Sequence, residues 1–297
     1  MPNREVPEYT PARKAKSWLP SGWWGVVPSI LALGLFVLYP LVQVLSISTL
    51  KWDGVVSGQS VGFGNYARLL SDPDLGRSIM ITLGFAALTL PAFVIISSFA
   101  ALELEGSRLE RPLKALLFLP GLWTVGASAI GWYTLYAPEY GVLSTVTRGV
   151  IALPWDREGW AALVFVAAFT IWEHVGYAVL VVSAGLKSIP SEVLEAARVD
   201  GASETQLRWR VVLPLLRPQL VFVGVIGGLY ALQSYTAVFL LTQGKPFGST
   251  RVLGYFLYET AFERFEFGYA AALSIMILLL AFTFASLQAR ALRSEIA

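Results

Sequence analysis

The chain contains no cysteine and one histidine. The first absence excludes a disulfide framework, a thiolate nucleophile, an iron–sulfur cluster and cysteine-bound zinc; the second leaves no multi-histidine metal site. Charge is also scarce. Asp, Glu, Lys and Arg make up 14% of the 297 residues, against roughly a quarter in soluble domains. The 22 basic and 20 acidic residues nearly cancel to a net charge of +2, so bulk charge points to no polyanionic partner. The phosphate-cradling pattern Gly-x-x-x-x-Gly-Lys-[Ser/Thr] is missing, because Gly244-Lys245-Pro246 lacks a glycine-rich lead and puts proline after the lysine. No internal repeat is visible, nor the matched broken halves of many secondary transporters. What fills the chain is apolar: 56% of residues are hydrophobic, and the mean hydropathy is +0.62. A soluble globule of this size could not keep that surface from water. An ordinary cytosolic enzyme, a disordered chain and a nucleic-acid binder with a basic face are therefore excluded.

A helix needs roughly 20 mostly apolar residues to cross the ~30 Å hydrocarbon layer. Six stretches qualify: 17–50, 78–102, 115–138, 159–186 (interrupted only by Glu173), 218–244 and 267–289. The expected architecture is an all-α, polytopic membrane protein with six transmembrane helices. Residues 1–16 read as a cytoplasmic N-terminal tail, 17–289 as the transmembrane domain with a cytoplasmic loop at 187–217, and 290–297 as a cytoplasmic C-terminal tail. The polar start, the long first apolar run and the lack of a small-residue cleavage site argue against a cleaved signal peptide. With the N-terminus inside, the inner segments carry fourteen Lys and Arg against eight outside, the asymmetry expected of cytoplasmic loops. Trp18, Trp23 and Trp24, and Trp132, Tyr133 and Tyr136, suit interfacial aromatic belts.

The loop between the fourth and fifth spans is too long for a simple connection. Pro190 ends the preceding segment, and Ser191 is placed to cap a new helix with Glu192 in its first turn. Val193, Leu194, Ala196, Ala197 and Val199 give that helix an apolar surface. Gly201 stands where a left-handed helix-ending residue belongs. Ser203-Glu204-Thr205-Gln206 forms a capping box for a second helix, and Pro214 and Pro218 redirect the chain toward the membrane. The expectation is two short helices joined by a sharp glycine turn. Lipid-surface amphipathicity would account for a hairpin of this kind, but the spacing is sharper than that requires.

Glu195-Ala196-Ala197, then three residues, Gly201, nine residues, and Val211-x-Leu213-Pro214 resembles the "EAA" loop of bacterial ABC-importer permeases, with Val211 where that family has Ile. The resemblance implies that Glu195, Ala196, Ala197, Asp200, Gly201, Leu213 and Pro214 form the element that docks in a cleft of a cytoplasmic ATPase subunit. The chemistry suits it. Two alanines admit close approach, Glu195 and Asp200 offer carboxylates for charge-assisted bonds, and glycine permits the turn. ATP and Mg would be bound by partner ATPases, and this chain would bind no cofactor and catalyse no bond chemistry.

Phe63-Gly64-Asn65-Tyr66, Leu69-Leu70-Ser71-Asp72-Pro73, Pro138-Glu139-Tyr140-Gly141, Gly254-Tyr255 through Phe262, and Phe267-Gly268-Tyr269-Ala270-x-Ala272 are similar to segments of carbohydrate permeases of the first-subunit, maltose- or glycerol-phosphate-type. Their Gly-Gly-Pro after the fifth span appears here as Gly244-Lys245-Pro246. The resemblance implies a second permease subunit, two ATPase subunits, an extracytoplasmic solute-binding protein, a sugar or glycerol phosphate as substrate, and a bacterial or archaeal cytoplasmic membrane as location.

Sugars are held by aromatic faces and fixed polar groups. Span four offers Trp172, Glu173, His174 and Tyr177, of which Glu173 and Tyr177 are four apart and His174 and Tyr177 three apart. A carboxylate at membrane depth costs ~2.5–3.5 kcal/mol on insertion scales and should face a cavity or a partner. Span five offers Tyr230, Gln233 and Ser234 at three- and four-residue spacing. Both segments coincide with cavity-lining positions of the resembled family, while interhelical hydrogen bonding is the simpler alternative. Gly224, Gly227 and Gly228 suit close helix packing. Two other readings use Glu173 and His174: an ion- or proton-coupled secondary transporter, with the pair as relay, and an intramembrane enzyme, with the pair as acid and base.

Overall fold

The computed structural model describes residues 25–147 and 154–293. The tail 1–16, Trp18, Trp23, Trp24 and the last four residues lie outside the described residues. The chain divides into two units, Met1–Ser46 and Ile47–Ala297. The first contains almost all of helix α1 (Val27–Ile47). Pro28 in its first turn, where a missing N–H costs nothing, suits a helix start.

The second unit is helical apart from a two-residue ladder, β1 (Leu50–Lys51) antiparallel to β2 (Gln59–Ser60), with Leu50 opposite Ser60. Then follow α2 (Gly64–Ser71), α3 (Pro73–Leu104), α4 (Glu110–Leu122), α5 (Val125–Tyr136), α6 (Val142–Val146), α7 (Gly159–Lys187), α8 (Ser191–Val199), α9 (Glu204–Leu215), α10 (Arg217–Leu232), α11 (Tyr235–Leu241), α12 (Leu253–Tyr258) and α13 (Phe267–Arg293). Among the described residues, α1, α3, α7 and α13 are long and apolar enough to cross a membrane unbroken, and two bent pairs bring the number to six.

The third span departs from expectation. In place of one helix over 115–138, α4 starts at Glu110, and the chain turns by 103° before α5. The sequence carries the cause. Pro120 has no N–H for the ladder, Gly121 is a poor helix former, and Thr124 caps the new helix by accepting from Ala127 N at 3.4 Å. The chain turns by 66° from α9, in the 187–217 loop, into α10 of the fifth span, at Leu216 between Pro214 and Pro218. That span breaks at Gln233–Ser234, before α11.

α3 and α7 pack along one another at the centre, with α10 against both. Small residues set the approach. A Cβ on Gly227 would meet Phe93 at 2.9 Å, and one on Gly228 would meet Phe284 at 2.4 Å; Gly224 faces open space. Two of the three glycines therefore serve packing. Thr82 Oγ1, buried in α3, accepts from Leu253 N at 2.8 Å and fixes the start of α12. The Trp132 ring lies 4.9 Å from Trp172, 4.7 Å from Tyr136 and 5.8 Å from Phe169. Trp132, Tyr133 and Tyr136 are half-buried, because α5, leaving the bend, lays these rings against α7.

The two ends of the unit are laced differently. At one end Lys114, 7% exposed, lies 2.9 Å from both Glu105 and Glu110; Lys187, the last residue of α7, reaches Glu110 at 2.8 Å, and Arg208 of α9 pairs with Glu103. At the other, Arg251 binds Glu259 at 2.6 Å and Asp74 at 3.1 Å, and Arg264 reaches Glu259 at 2.7 Å. Arg68 grips both oxygens of Glu266 and lies over the Tyr269 ring; the Glu266 carboxylate beside it raises the Arg68 pKa. Multi-partner pairs around half-buried arginines order these loops better than single exposed pairs do.

Candidate functional site

The 187–217 loop folds as the expected hairpin. α8 ends in a Schellman motif: Ala202 N donates to Ala197 O at 3.0 Å, Gly201 N donates to Arg198 O at 3.0 Å, and Gly201 takes φ +86°. The capping box is complete, with Gln206 N donating to Ser203 Oγ at 3.3 Å and Ser203 N donating to Gln206 Oε1 at 2.9 Å. One expectation is corrected. Ser191 makes no cap, because extended Pro190 holds the N-cap position and Ser191 is already the first helical residue.

The hairpin has two unlike faces. Leu194 and Ala197 of α8 and buried Leu207 and Val212 of α9 pack against the bundle. Glu195, Ala196, Asp200 and Gly201 are exposed, Leu213 is half-buried, and Pro214 is exposed where α9 ends. Trp209, 68% exposed on α9, is an apolar side chain that the motif spacing does not single out. A large apolar group on the outer face of a helix in a polar loop was the available signal. Val199, at the end of α8, is likewise uncovered, at 87% exposed.

The span-four and span-five candidates gather only in part. The His174 ring lies 3.8 Å from that of Tyr230, which meets Phe93 edge-on at 6.4 Å. His174 Nδ1 donates to Thr170 O at 2.9 Å. Glu173 is 4% exposed; its Oε2 is 3.8 Å from His174 Nδ1, and its Oε1 has no hydrogen-bond partner among the described residues. Tyr177 is 41% exposed. Trp172 turns away into the Trp132 cluster. α10 ends at Leu232, which interrupts the common face expected of Tyr230, Gln233 and Ser234. Gln233 is exposed, while buried Ser234 donates to Ala231 O at 2.9 Å.

A residue the sequence reading passed over positions this region. A Cβ on Gly176 would lie 2.1 Å from Leu117 O and 2.5 Å from Phe118 Cα. The bent third span thus presses its backbone onto α7 between Glu173 and Tyr177. Among the described residues, no group of three or more His, Cys, Asp or Glu side chains could hold a metal ion.

The described residues thus form a helical bundle with a broken third span, a two-helix hairpin at one end and spans long enough to cross a membrane, the build of a multi-pass membrane protein. Residues 60–294 match the family described as binding-protein-dependent transport system inner membrane component, and the chain belongs to that family. It is 31% identical over 273 residues to the sn-glycerol-3-phosphate transport system permease protein UgpA of Yersinia pestis, covering 89% of this chain and 90% of the relative. It is 30% identical over 263 residues to a probable ABC transporter permease protein of Pyrococcus horikoshii (86% and 90% covered). It is 25% identical over 279 residues to the sulfoquinovosyl glycerol transport system permease protein SmoG of Agrobacterium fabrum (91% and 89% covered). The fold is shared with a chain of a bacterial ABC transporter involved in the import of the acidic polysaccharide alginate, at TM-score 0.79 and 20% identity over 92% of this chain and 94% of that one.

The chain is thus a multi-pass inner-membrane permease subunit of a binding-protein-dependent ABC transport system. It is a non-catalytic component that works with a binding protein and ABC transporter partners; it binds no cofactor, and its ATPase partners bind the ATP. Family membership displaces the proton-relay and intramembrane-enzyme readings of Glu173 and His174.

Proposed function

We propose that this chain is one of two different permease subunits of an importer for sugars or glycerol phosphates. Two ATPase subunits serve it from the cytoplasm and an extracytoplasmic solute-binding protein from outside. Both termini are cytoplasmic, as the Lys and Arg distribution favours. The tails are 1–16 and 290–297, and the permease domain is 17–289 with the coupling loop 187–217. The substrate class follows the relatives whose names carry it, the glycerol-phosphate and sulfoquinovosyl glycerol permeases.

The observation that carries the coupling role is the two-faced hairpin. Its inner face is fixed to the bundle by Leu194, Ala197, Leu207 and Val212, and its outer face bears Glu195, Ala196, Val199 and Asp200. A compact anchored helix passes on rigid-body motion that a loose loop would absorb. Lys187 at the start of the loop and Arg208 within α9 pair with Glu110 at the start of α4 and Glu103 at the end of α3, so displacement of the hairpin bears on spans two and three as well as four and five. Because the chain has no cysteine, Ala196→Cys introduces a single thiol. In the assembled transporter it is expected to cross-link to an ATPase subunit. A thiol that reacts with small reagents but cross-links to no other polypeptide in any nucleotide state would refute the docking role.

The substrate path in this subunit runs by Glu173, His174 and Tyr177 of α7 and Tyr230 and Gln233 at the end of α10; of the other two candidates, Trp172 packs into the Trp132 cluster and Ser234 is buried against Ala231 O. Tyr177 and Gln233, the two exposed members, touch substrate; Glu173, His174 and Tyr230 shape the wall behind them. Tyr177→Ala and Gln233→Ala are each expected to lower uptake about three- to tenfold, the scale of one lost hydrogen bond, at near-wild-type chain abundance. Uptake kinetics unchanged in both variants would remove this path assignment.

A further inference from the structure

At the end of the bundle away from the hairpin lies an open cavity of about 400 Å³, outside the path just described. Its lining includes Tyr133, Trp155, Asp156, Leu240, Gln243 and Lys245. The aromatic wall is rigid: Trp155 Nε1 donates to Tyr136 O at 3.0 Å, its ring stacks on Phe165 at 4.7 Å, and Tyr133 meets it edge-on at 5.5 Å. Opposite, Gln243 is held at φ +52°, a left-handed conformation that a non-glycine residue keeps only when its surroundings enforce it, and its N–H donates to Val238 O at 2.7 Å. Such outliers concentrate at ligand clamps and switches. α11 connects this turn to the Gln233–Ser234 break; its seven residues, at 1.5 Å each, separate the two places by roughly 10 Å.

The volume falls within the ~300–1,000 Å³ of small-molecule sites. The wall offers what a sugar ring asks for: aromatic and aliphatic surface for its C–H faces, and a carboxylate, an amide and an ammonium group for its hydroxyls. It does not offer what a phosphate or carboxylate ligand asks for. Asp156 and Lys245 oppose one another in sign, and no arginine is among the lining residues; planar forks of guanidinium groups are the usual anion holders. Deeper in, residues 115–138, 159–186 and 218–244 contain a single charged side chain, and it is the acid Glu173. These segments offer no lysine or arginine to hold an anion.

We infer that this cavity is the receiving subsite for a neutral sugar, ahead of the Tyr177–Gln233 path, and that the transporter selects neutral sugars over glycerol phosphate and acidic sugars. The inference rests on the sugar-import reading above and narrows it, setting this chain apart from the relatives named for glycerol phosphate and sulfoquinovosyl glycerol. Its test uses the complete transporter with its binding protein in proteoliposomes, offered radiolabelled glucose, maltose, sucrose, sn-glycerol 3-phosphate and glucuronate. Wild type should take up a neutral member and leave both anions outside. Gln243→Gly keeps the left-handed turn while removing the amide; Lys245→Met removes the charge and keeps an aliphatic stem. Each should lower the uptake rate about three- to tenfold, the scale of a lost hydrogen bond, while capture of the sugar-loaded binding protein stays at wild-type level. Preferred uptake of either anion, or wild-type uptake rates in both variants, overturns the inference and leaves the importer reading standing. Parallel loss of binding-protein capture also overturns it, making the cavity a protein-docking surface. Uptake of none of the five compounds, alongside avid uptake of a non-carbohydrate solute, sinks the sugar reading and the subsite with it.

Discussion

Gly201→Val should lower uptake about tenfold while the chain still inserts and its bundle still assembles. Gly201 sits at φ +86° in the Schellman turn that closes α8. A Cβ there meets nothing within 4 Å, so the penalty is conformational and does not come from a clash. A left-handed backbone costs an L-residue with a side chain ~1–2 kcal/mol, and a β-branched one adds to that. One or two kcal/mol corresponds to a factor of about five to thirty in the population of the turned hairpin. The loss falls on the one element proposed to receive the ATPase stroke, so ATP hydrolysis should lose its stimulation by loaded binding protein. Gly201→Asn is the control. Asparagine tolerates the left-handed region better than most side chains, so it should recover most of the transport that valine removes. Glu195→Ala should weaken ATPase retention without altering the turn. If valine at 201 and alanine at 195 both gave wild-type coupling and ATPase retention, the hairpin would not be the transmission element.

The second large effect is structural. Gly176→Ala should reduce the amount of assembled transporter in membranes to a small fraction of wild type. The new Cβ would stand 2.1 Å from Leu117 O and 2.4 Å from Leu117 C. These are backbone atoms of α4 close to its bend, and they cannot rotate aside. Overpacking into such a site costs ~1–3 kcal/mol, and more where relief requires moving a helix. Gly224→Ala, on α10 with open space around the added methyl, should be neutral or mildly stabilising, since alanine is a better helix former than glycine by ~1 kcal/mol. Thermal unfolding of the two purified transporters separates the cases. Equal melting temperatures and yields would mean that α4 and α7 do not meet as closely as the structure has them.

Both predictions concern glycines, and the two differ in how legible they were. Gly201 announced itself. It follows a helix-length apolar surface, precedes Ser203-Glu204-Thr205-Gln206, and fits a local motif whose partners lie within five residues. Gly176 did not, because its partner, Leu117, is 59 residues away in sequence and only the bend at Pro120–Thr124 brings it near. Trp132 shows the same limit. Its chemistry suits a membrane interface equally well, and only the direction of α5 after a 103° turn puts it against Trp172.

The sequence by itself determined the solvent, the helical class and the hairpin. Apolar run length is set by bilayer thickness, and capping signals act over single turns, so both are written in consecutive residues. The tertiary structure alone decided how the third span bends, which of the candidate polar residues face outward, and where a cavity opens beyond the Gln233–Ser234 break. Those outcomes depend on packing between segments far apart in the chain, where the shape of each surface matters and its hydrophobicity says little.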